Sequence, residues 1–262
     1  MVKVNQNRSN PFPKKLSTTL IWLVFITYLV YLINSFGLEW TRFVDGLSYA
    51  NTLIERMMPP NFSRWELLLD GLWESIEISV IASSLGIFLS LFFGLFAARN
   101  LMPIYVSAPV RVFIALCRSF HPIIIAILFV KSVGFGALAG ILTLIVASIG
   151  FIAKLFAESI EEISSKQIEA IKSTGASFGS IIIFSVLPQV FSRFIGFSTY
   201  QFDSNLRNST MLGIVGAGGL GGTLFSAFQR FDYDFVAAIL ITIVSVILFW
   251  EFLSNVIRRI FT

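Results

Sequence analysis

The sequence predicts an all-α integral membrane protein of about six transmembrane helices, with both termini on the cytoplasmic side. Three observations carry this prediction. Hydrophobic residues fill 56 % of the 262 positions and charged residues 13 %, against roughly 25 % charged in an ordinary soluble domain. Mean hydropathy is +0.83 and phenylalanine occurs 28 times, more apolar surface than a soluble fold of this size can hide. The apolar residues also come in runs long enough for the ~20-residue helix that crosses a bilayer. The same composition excludes a disordered chain, a collagen-like fibre, a secreted disulfide scaffold and a free nucleic-acid-binding domain. A lone cysteine, Cys117, permits no internal disulfide, and a lone histidine, His121, permits no Cys/His metal cluster. No metal site is expected.

Residues 16–38 form the first run. They carry no charge until Glu39 and follow Lys3, Arg8, Lys14 and Lys15. The run is too long for a signal peptide and no A-x-A cleavage pattern follows, so it reads as a retained span. Residues 37–70 form an external loop of mixed polarity, with a short interfacial helix around 40–57 that Pro59-Pro60 ends. The second span covers 70–98, with Glu74 and Glu77 near its start. The third covers 108–130 and is interrupted by Arg118 and His121. The fourth runs over about 135–157, the fifth lies within 181–211, and the sixth covers 235–257 before Arg258 and Arg259. Asn61-Phe62-Ser63 and Asn208-Ser209-Thr210 match the glycosylation tripeptide, a pattern too common by chance to use. No internal repeat interrupts this organisation: residues 1–15 are a cytoplasmic tail and 16–262 a single membrane domain.

Six spans place both termini on one side, and charge decides which. Lys3, Arg8, Lys14, Lys15, Arg99, Arg111, Lys154, Lys166, Lys172, Arg258 and Arg259 share one side, eleven of the nineteen basic residues. The basic residues of the opposite loops are offset by Glu39, Asp45, Glu55, Glu66, Asp70, Asp232 and Asp234. Excess Lys and Arg mark the cytoplasmic side.

Segment 158–188 is too long and too polar for a bare connector. Ser164 or Ser165 can N-cap a helix, and Ile168 and Ile171 share one of its faces while charges surround the rest. Gly175 suits a helix stop, and Pro188 is expected to break the apolar run that follows. On spacing alone, a solvated surface helix and a docking helix remain equally open. Glu169-Ala170, then Gly175, then Leu187-Pro188 resembles the EAA loop of permease subunits of ATP-binding-cassette importers. That pattern is Glu-Ala-Ala, three residues, Gly, nine residues, Ile, one residue, Leu-Pro. This chain departs from it at Ile171 and Ser185. The resemblance implies a type I, MetI-like permease fold in a bacterial inner membrane. It also implies that Glu169, Ala170, Lys172, Gly175, Leu187 and Pro188 couple the chain to a separate ATPase subunit.

A second stretch, Tyr200 to Gly222, reads YQFDSNLRNSTMLGIVGAGGLGG. With Lys154 to Glu158 upstream, it resembles the phosphonate importer permeases over roughly residues 70 to 258. Methionine importer permeases share the Gly-Ala-Gly-Gly-Leu-Gly end but are apolar where this chain has Asp203, Asn205 and Arg207. The resemblance therefore implies a phosphonate or a related phosphorus oxyanion, phosphite or hypophosphite, as the solute. It further implies a homodimer, two cytoplasmic ATPases, an extracytoplasmic binding protein, and no nucleic acid partner. Gly216-Ala-Gly218-Gly-Leu-Gly221 fits the dinucleotide fingerprint letter for letter, but the context is wrong: an apolar span precedes it and Asp232 and Asp234 come too early. Tight packing at Gly213, Gly216, Gly218, Gly219 and Gly221, or a broken segment turning amides toward an anion, fits better. No Walker A sequence occurs, so no catalytic residue is expected, and ATP and Mg²⁺ belong to the partner.

Charged residues at membrane depth usually pair or line a path. Asp203 and Arg207 are four apart, acid first. At 1.5 Å per residue they stand about 22 and 28 Å beyond Pro188, past the middle toward the external mouth. They form either a self-neutralising pair or an arginine held to meet an anion. Tyr200, Ser204, Asn205 and Ser209 add polar groups nearby. Arg118 and His121 are expected to share a face with Cys117 and border the pathway, unless Arg118 snorkels to the surface and His121 is structural. The reading is an importer working by alternating access. Its rivals are a permease for another solute such as methionine, a channel, or a membrane-embedded lipid enzyme. The enzyme would need a convergent set of acid, base and nucleophile that the chain does not show.

Overall fold

The computed structural model describes residues 16–37 and 39–261. The tail 1–15, with Lys3, Arg8, Lys14 and Lys15, lies outside the described residues, as do the side chains of Arg258 and Arg259. Among the described residues every regular element is helical. The chain divides into two compact units, one up to Glu55 and one from Arg56 onward.

The first unit holds α1 (Leu16–Ser35) and nearly all of α2 (Trp40–Met57). The described side chains of α1 are almost all exposed, the state of a span whose solvent is lipid. The helix α2 covers the segment where a short helix was expected, with Trp40 stacked on Phe43 at 5.4 Å. It ends just before Pro59-Pro60, whose rings and missing N–H groups cannot extend it.

The second unit is built around α3 (Trp65–Ala97), 33 residues long and thus about 50 Å at 1.5 Å per residue. Its buried face is mostly small, with Gly71, Ser75, Ser79, Ala82, Ser83, Gly86, Ser90, Gly94 and Ala97 beside the larger Leu68 and Ile78. Its bulky residues Phe88, Phe92 and Phe96 are exposed. Small residues let neighbouring backbones come close, the way helices associate where lipid offers no hydrophobic drive. A methyl group on Gly94 would lie 2.7 Å from the Phe156 ring, and one on Gly86 2.5 Å from Ser148 Cβ.

After α3 come α4 (Ile104–Ser119) and α5 (Pro122–Val133), bent by 92° where one straight third span was expected. Phe120 and His121 take extended ψ values of 138° and 140°. The residue before a proline is pushed out of the helical region, and Pro122 restarts the helix in its first turn. Next follow α6 (Ala137–Ser148), a π turn (Ile149–Ala153) and α7 (Lys154–Glu161), one continuous span. Then come α8 (Ser165–Lys172) and α9 (Phe178–Ile181). A π turn (Ile182–Val186) leads into α10 (Leu187–Leu212), which ends in a 3₁₀ turn (Gly213–Val215). The break expected at Pro188 does not occur. The helix runs on from Phe178 to Val215, because the wider π turn directly ahead takes up the register change and Pro188 falls in the first turn of α10. Last are α11 (Leu220–Gln229) and α12 (Tyr233–Phe261).

Among the described residues five helices are long and apolar enough to span a membrane, or six if the bent pair counts as one span. The two ends of the second unit are chemically distinct. One gathers Ala97, Ile114, Ala153 and Ala157, the Arg111–Glu161 ion pair and the Asn100 amide donating to the Ile160 carbonyl at 2.7 Å. It carries Arg99, Arg111 and Lys154, and by the basic bias it is the end expected to be cytoplasmic. The other gathers Leu68, Leu220, Ala227 and Phe235, with Arg64 paired to Asp232 at 3.1 Å and lying 4.1 Å over the Phe235 ring. Along the bent pair, Ile114 packs at the cytoplasmic end, whereas Val130 packs with Ile78 and Ala139. The pair therefore advances from one end toward the other despite its bend.

Candidate functional site

The helix α8 packs beside the π turn at Ile182–Val186 and α9. Ser164 takes the extended backbone of an N-cap, φ −67° and ψ 119°, but its side chain makes no bond to the helix; the expected cap is positional only. Ile168 and Ile171 are the half-buried residues of α8, and the others are exposed. Glu169, Ala170 and Lys172 thus stand on the free face of a helix seated by two isoleucines. Gly175 adopts φ +74°, the left-handed conformation that terminates a helix and that other residues resist. Leu187 packs against Ala98, Phe156, Ile160, Val186 and Val190, fixing the next helix to the body, and Pro188 is exposed. Nearby, Arg193 bonds Glu162 at 2.6 Å.

One face of α10 is spent on the core. Asn205 donates to Ser83 Oγ at 2.9 Å and Ser148 Oγ at 3.0 Å, while accepting from Gln201 Nε2 at 2.9 Å. Ser79 donates to Ser209 Oγ at 3.1 Å. Asn205 and Ser209 are fully buried and stand level with the middle of α3. Asp203 and Arg207 lie on a different face. Asp203 Oδ2 accepts from Arg207 at 2.7 Å, with the Asp203 side chain 9 % exposed and that of Arg207 41 %. Asp203 Oδ1 is buried without a partner. Tyr200 is exposed and packs on Phe151 at 5.4 Å. Sequence proximity had grouped these residues; the helix sorts them by face.

The glycine segment is a compact turn, with no strand before it. Gly216, Gly218 and Gly219 take φ of +87°, +83° and +80°. The Gly216 amide donates to Gly213 O at 2.9 Å and that of Ala217 to Leu212 O at 3.1 Å. The Leu220 amide, at the start of α11, donates to Ser75 Oγ at 2.9 Å. Gly213 abuts the backbone of Gly218, Gly221 and Gly222, and Gly221 abuts the Thr210 carbonyl. Gly213 and Gly221 thus permit close packing between backbones, while Gly216, Gly218 and Gly219 permit the positive φ of the turn beside the Phe135, Glu74 and Ser75 side chains.

Arg118 and His121 do not share a helix face. Arg118 ends α4, while His121 sits in the bend, capping α5 by accepting from the Ile123 amide at 3.4 Å. The 92° turn separates them. Arg118 instead lines a cavity with Arg99, Arg111 and Lys154, a cluster the separation in sequence concealed. Also missed were Ser83, Ser148 and Gln201. The repeat of small residues every four positions, Gly71-Ser75-Ser79-Ser83, is the signal that exposes the first. Replacing Asn205 with leucine strands these partners, and is expected to cost about 1–3 kcal/mol, read as a lowered thermal unfolding midpoint in detergent.

The family described as binding-protein-dependent transport system inner membrane component matches residues 90–262. The phosphate-import permease protein PhnE of Mycolicibacterium smegmatis is 36 % identical over 267 residues, covering 98 % of this chain and 49 % of that relative. This chain thus spans about half the length of that protein. The phosphite transport system permease protein PtxC of Stutzerimonas stutzeri is 36 % identical over 225 residues, covering 86 % of this chain and 82 % of the relative. Among solved structures, the inward-facing MetNI methionine ABC transporter superposes with a TM-score of 0.68 at 25 % identity, over 77 % of this chain and 99 % of that one.

Proposed function

The chain belongs to the binding-protein-dependent transport system inner membrane component family, and from that premise we propose that it is the permease subunit of an importer for a phosphonate or a related phosphorus oxyanion such as phosphite or hypophosphite. The observation that carries the coupling role is α8, a short helix with two isoleucines half-buried and with Glu169, Ala170 and Lys172 exposed. In this reading a separate ATPase, which holds ATP and Mg²⁺, receives that face. Two copies of the permease pair with two such ATPases, and an extracytoplasmic binding protein delivers the solute. ATP draws the ATPases together, α8 moves with them, and the spans reorient to open the pathway by turns to either side. Support for a phosphorus oxyanion comes from the names of the relatives in Mycolicibacterium and Stutzerimonas and from Arg207, held by Asp203 yet exposed along one edge.

The test is reconstitution with the partner ATPase and binding protein, followed by uptake of phosphite, methylphosphonate or methionine. ATP-dependent uptake of a phosphorus compound supports the reading, whereas uptake of methionine alone overturns its solute. Removing Arg207 by itself leaves the Asp203 carboxylate without its ion-pair partner and confounds uptake with a loss of stability. The cleaner variant is Asp203→Asn with Arg207→Gln. Its uptake is expected to fall about tenfold, the equivalent of 1.4 kcal/mol, while the ATPase still co-purifies. Undiminished uptake makes the pair self-neutralising and takes it out of the pathway.

A further inference from the structure

Between the end of α3, α4 and α7 lies a cavity of about 410 Å³ lined by Arg99, Arg111, Arg118 and Lys154, with Glu158 as its single acid. Two of the four cations are already neutralised. Arg111 bonds Glu161 and the Ala97 carbonyl, and Lys154 pairs with Glu158 at 3.5 Å. Arg99 and Arg118 have no ion pair among the described residues. Arg118 is exposed, yet it stands further along the span than the other three. Its backbone packs against Gly150, which precedes Glu161 by eleven residues, about 16 Å along the helix. An arginine at that depth is costly unless it faces a cavity or a counter-charge. Here the cavity is present, and its one acid, Glu158, is already paired with Lys154.

We infer that this cavity binds a phosphate-bearing anion, with Arg118 at its inner end and Arg99 at its cytoplasmic mouth. The planar guanidinium presents paired N–H donors that match two oxygens of a tetrahedral phosphate. The volume is that of an ordinary small-molecule site. Two sources offer the same group: free phosphate or phosphonate in the cytoplasm, and the headgroup of an anionic phospholipid, which basic pockets between spans hold on this side of a membrane. The lining includes no residue of α8 and neither Asp203 nor Arg207, and the inference does not depend on the transport reading.

The intact protein, purified in neutral detergent, is titrated with radiolabelled inorganic phosphate. In parallel it is reconstituted in phosphatidylcholine vesicles with and without phosphatidylglycerol, re-extracted and examined for retained lipid by native mass spectrometry. Arg118→Gln is expected to weaken binding about tenfold or more, the loss of a charge-assisted bond pair. Arg118→Lys should retain part of the binding, and Arg193→Gln, at the same end but outside the cavity, all of it. Saturable phosphate binding lost in Arg118→Gln supports the site with a free anion. Phosphatidylglycerol retained by the parent and lost in the variant supports it with lipid. If neither ligand binds, or both Arg118→Gln and Arg99→Gln bind as the parent does, the inference is overturned. Arg118 has no ion-pair partner to strand; should its variant nevertheless misfold, the exposed Arg99 carries the same test.

Discussion

Gly221→Ala is expected to prevent stable accumulation of the folded protein, whereas Gly196→Ala raises its stability. At Gly221 an added methyl overlaps the Thr210 carbonyl, with Gly213 Cα 3.0 Å away. These are backbone atoms, which cannot swing aside as a side chain would. The end of α10 and the start of α11 must then separate, and with them the bond from the Leu220 amide to Ser75. Overpacking costs about 1–3 kcal/mol where side chains can adjust, and rigid backbone places this site at or above the upper end. Gly196 lies within α10 with nothing inside 4 Å of a methyl position. There alanine gains up to about 1 kcal/mol of helix propensity. Membrane-inserted yield and the thermal unfolding midpoint of the two variants, measured side by side, check the opposite signs. Equal behaviour would mean that the packed turn is not a structural constraint.

Glu169→Arg is expected to abolish solute uptake by the assembled transporter while the chain inserts and unfolds as the parent does. Glu169 is exposed and makes no ion pair among the described residues, so its removal strands nothing within the chain. Any large effect must arise with a partner. Truncating one member of a buried charge pair across an interface costs about 2–5 kcal/mol, and charge reversal adds repulsion. Gly175→Val acts by another route. At φ +74° a β-branched side chain is strained by about 1–2 kcal/mol, and relief of that strain re-aims α8. Both variants are read by uptake together with ATPase stimulation. Parent-level values for both would remove α8 from the coupling path.

Much of the fold was legible because lipid imposes a simple rule: every crossing segment must be helical and apolar over about 20 residues. The runs ahead of Glu39, after Asp70 and before Arg258 announce spans on composition alone. Pro59-Pro60 and Gly175 mark helix ends by their backbone chemistry. Glu169 to Pro188 was equally readable, since a recurrent local pattern needs no partner in space to be seen.

What this chain's sequence determined by itself was therefore local: which segments are helical and apolar enough to cross, where α2 and α8 lie, and that Gly175 must end the latter. Only the tertiary structure decided that the third crossing turns by 92°, that Pro188 leaves its helix continuous, and that Asn205 bonds Ser83 and Ser148 while Asp203, two residues away, pairs with Arg207. It alone brought Arg99, Arg111, Arg118 and Lys154 around one cavity. The reason is geometric. A helix advances 100° per residue, so neighbours in sequence diverge to different faces, and which face meets core, cavity or lipid is fixed by helices distant along the chain.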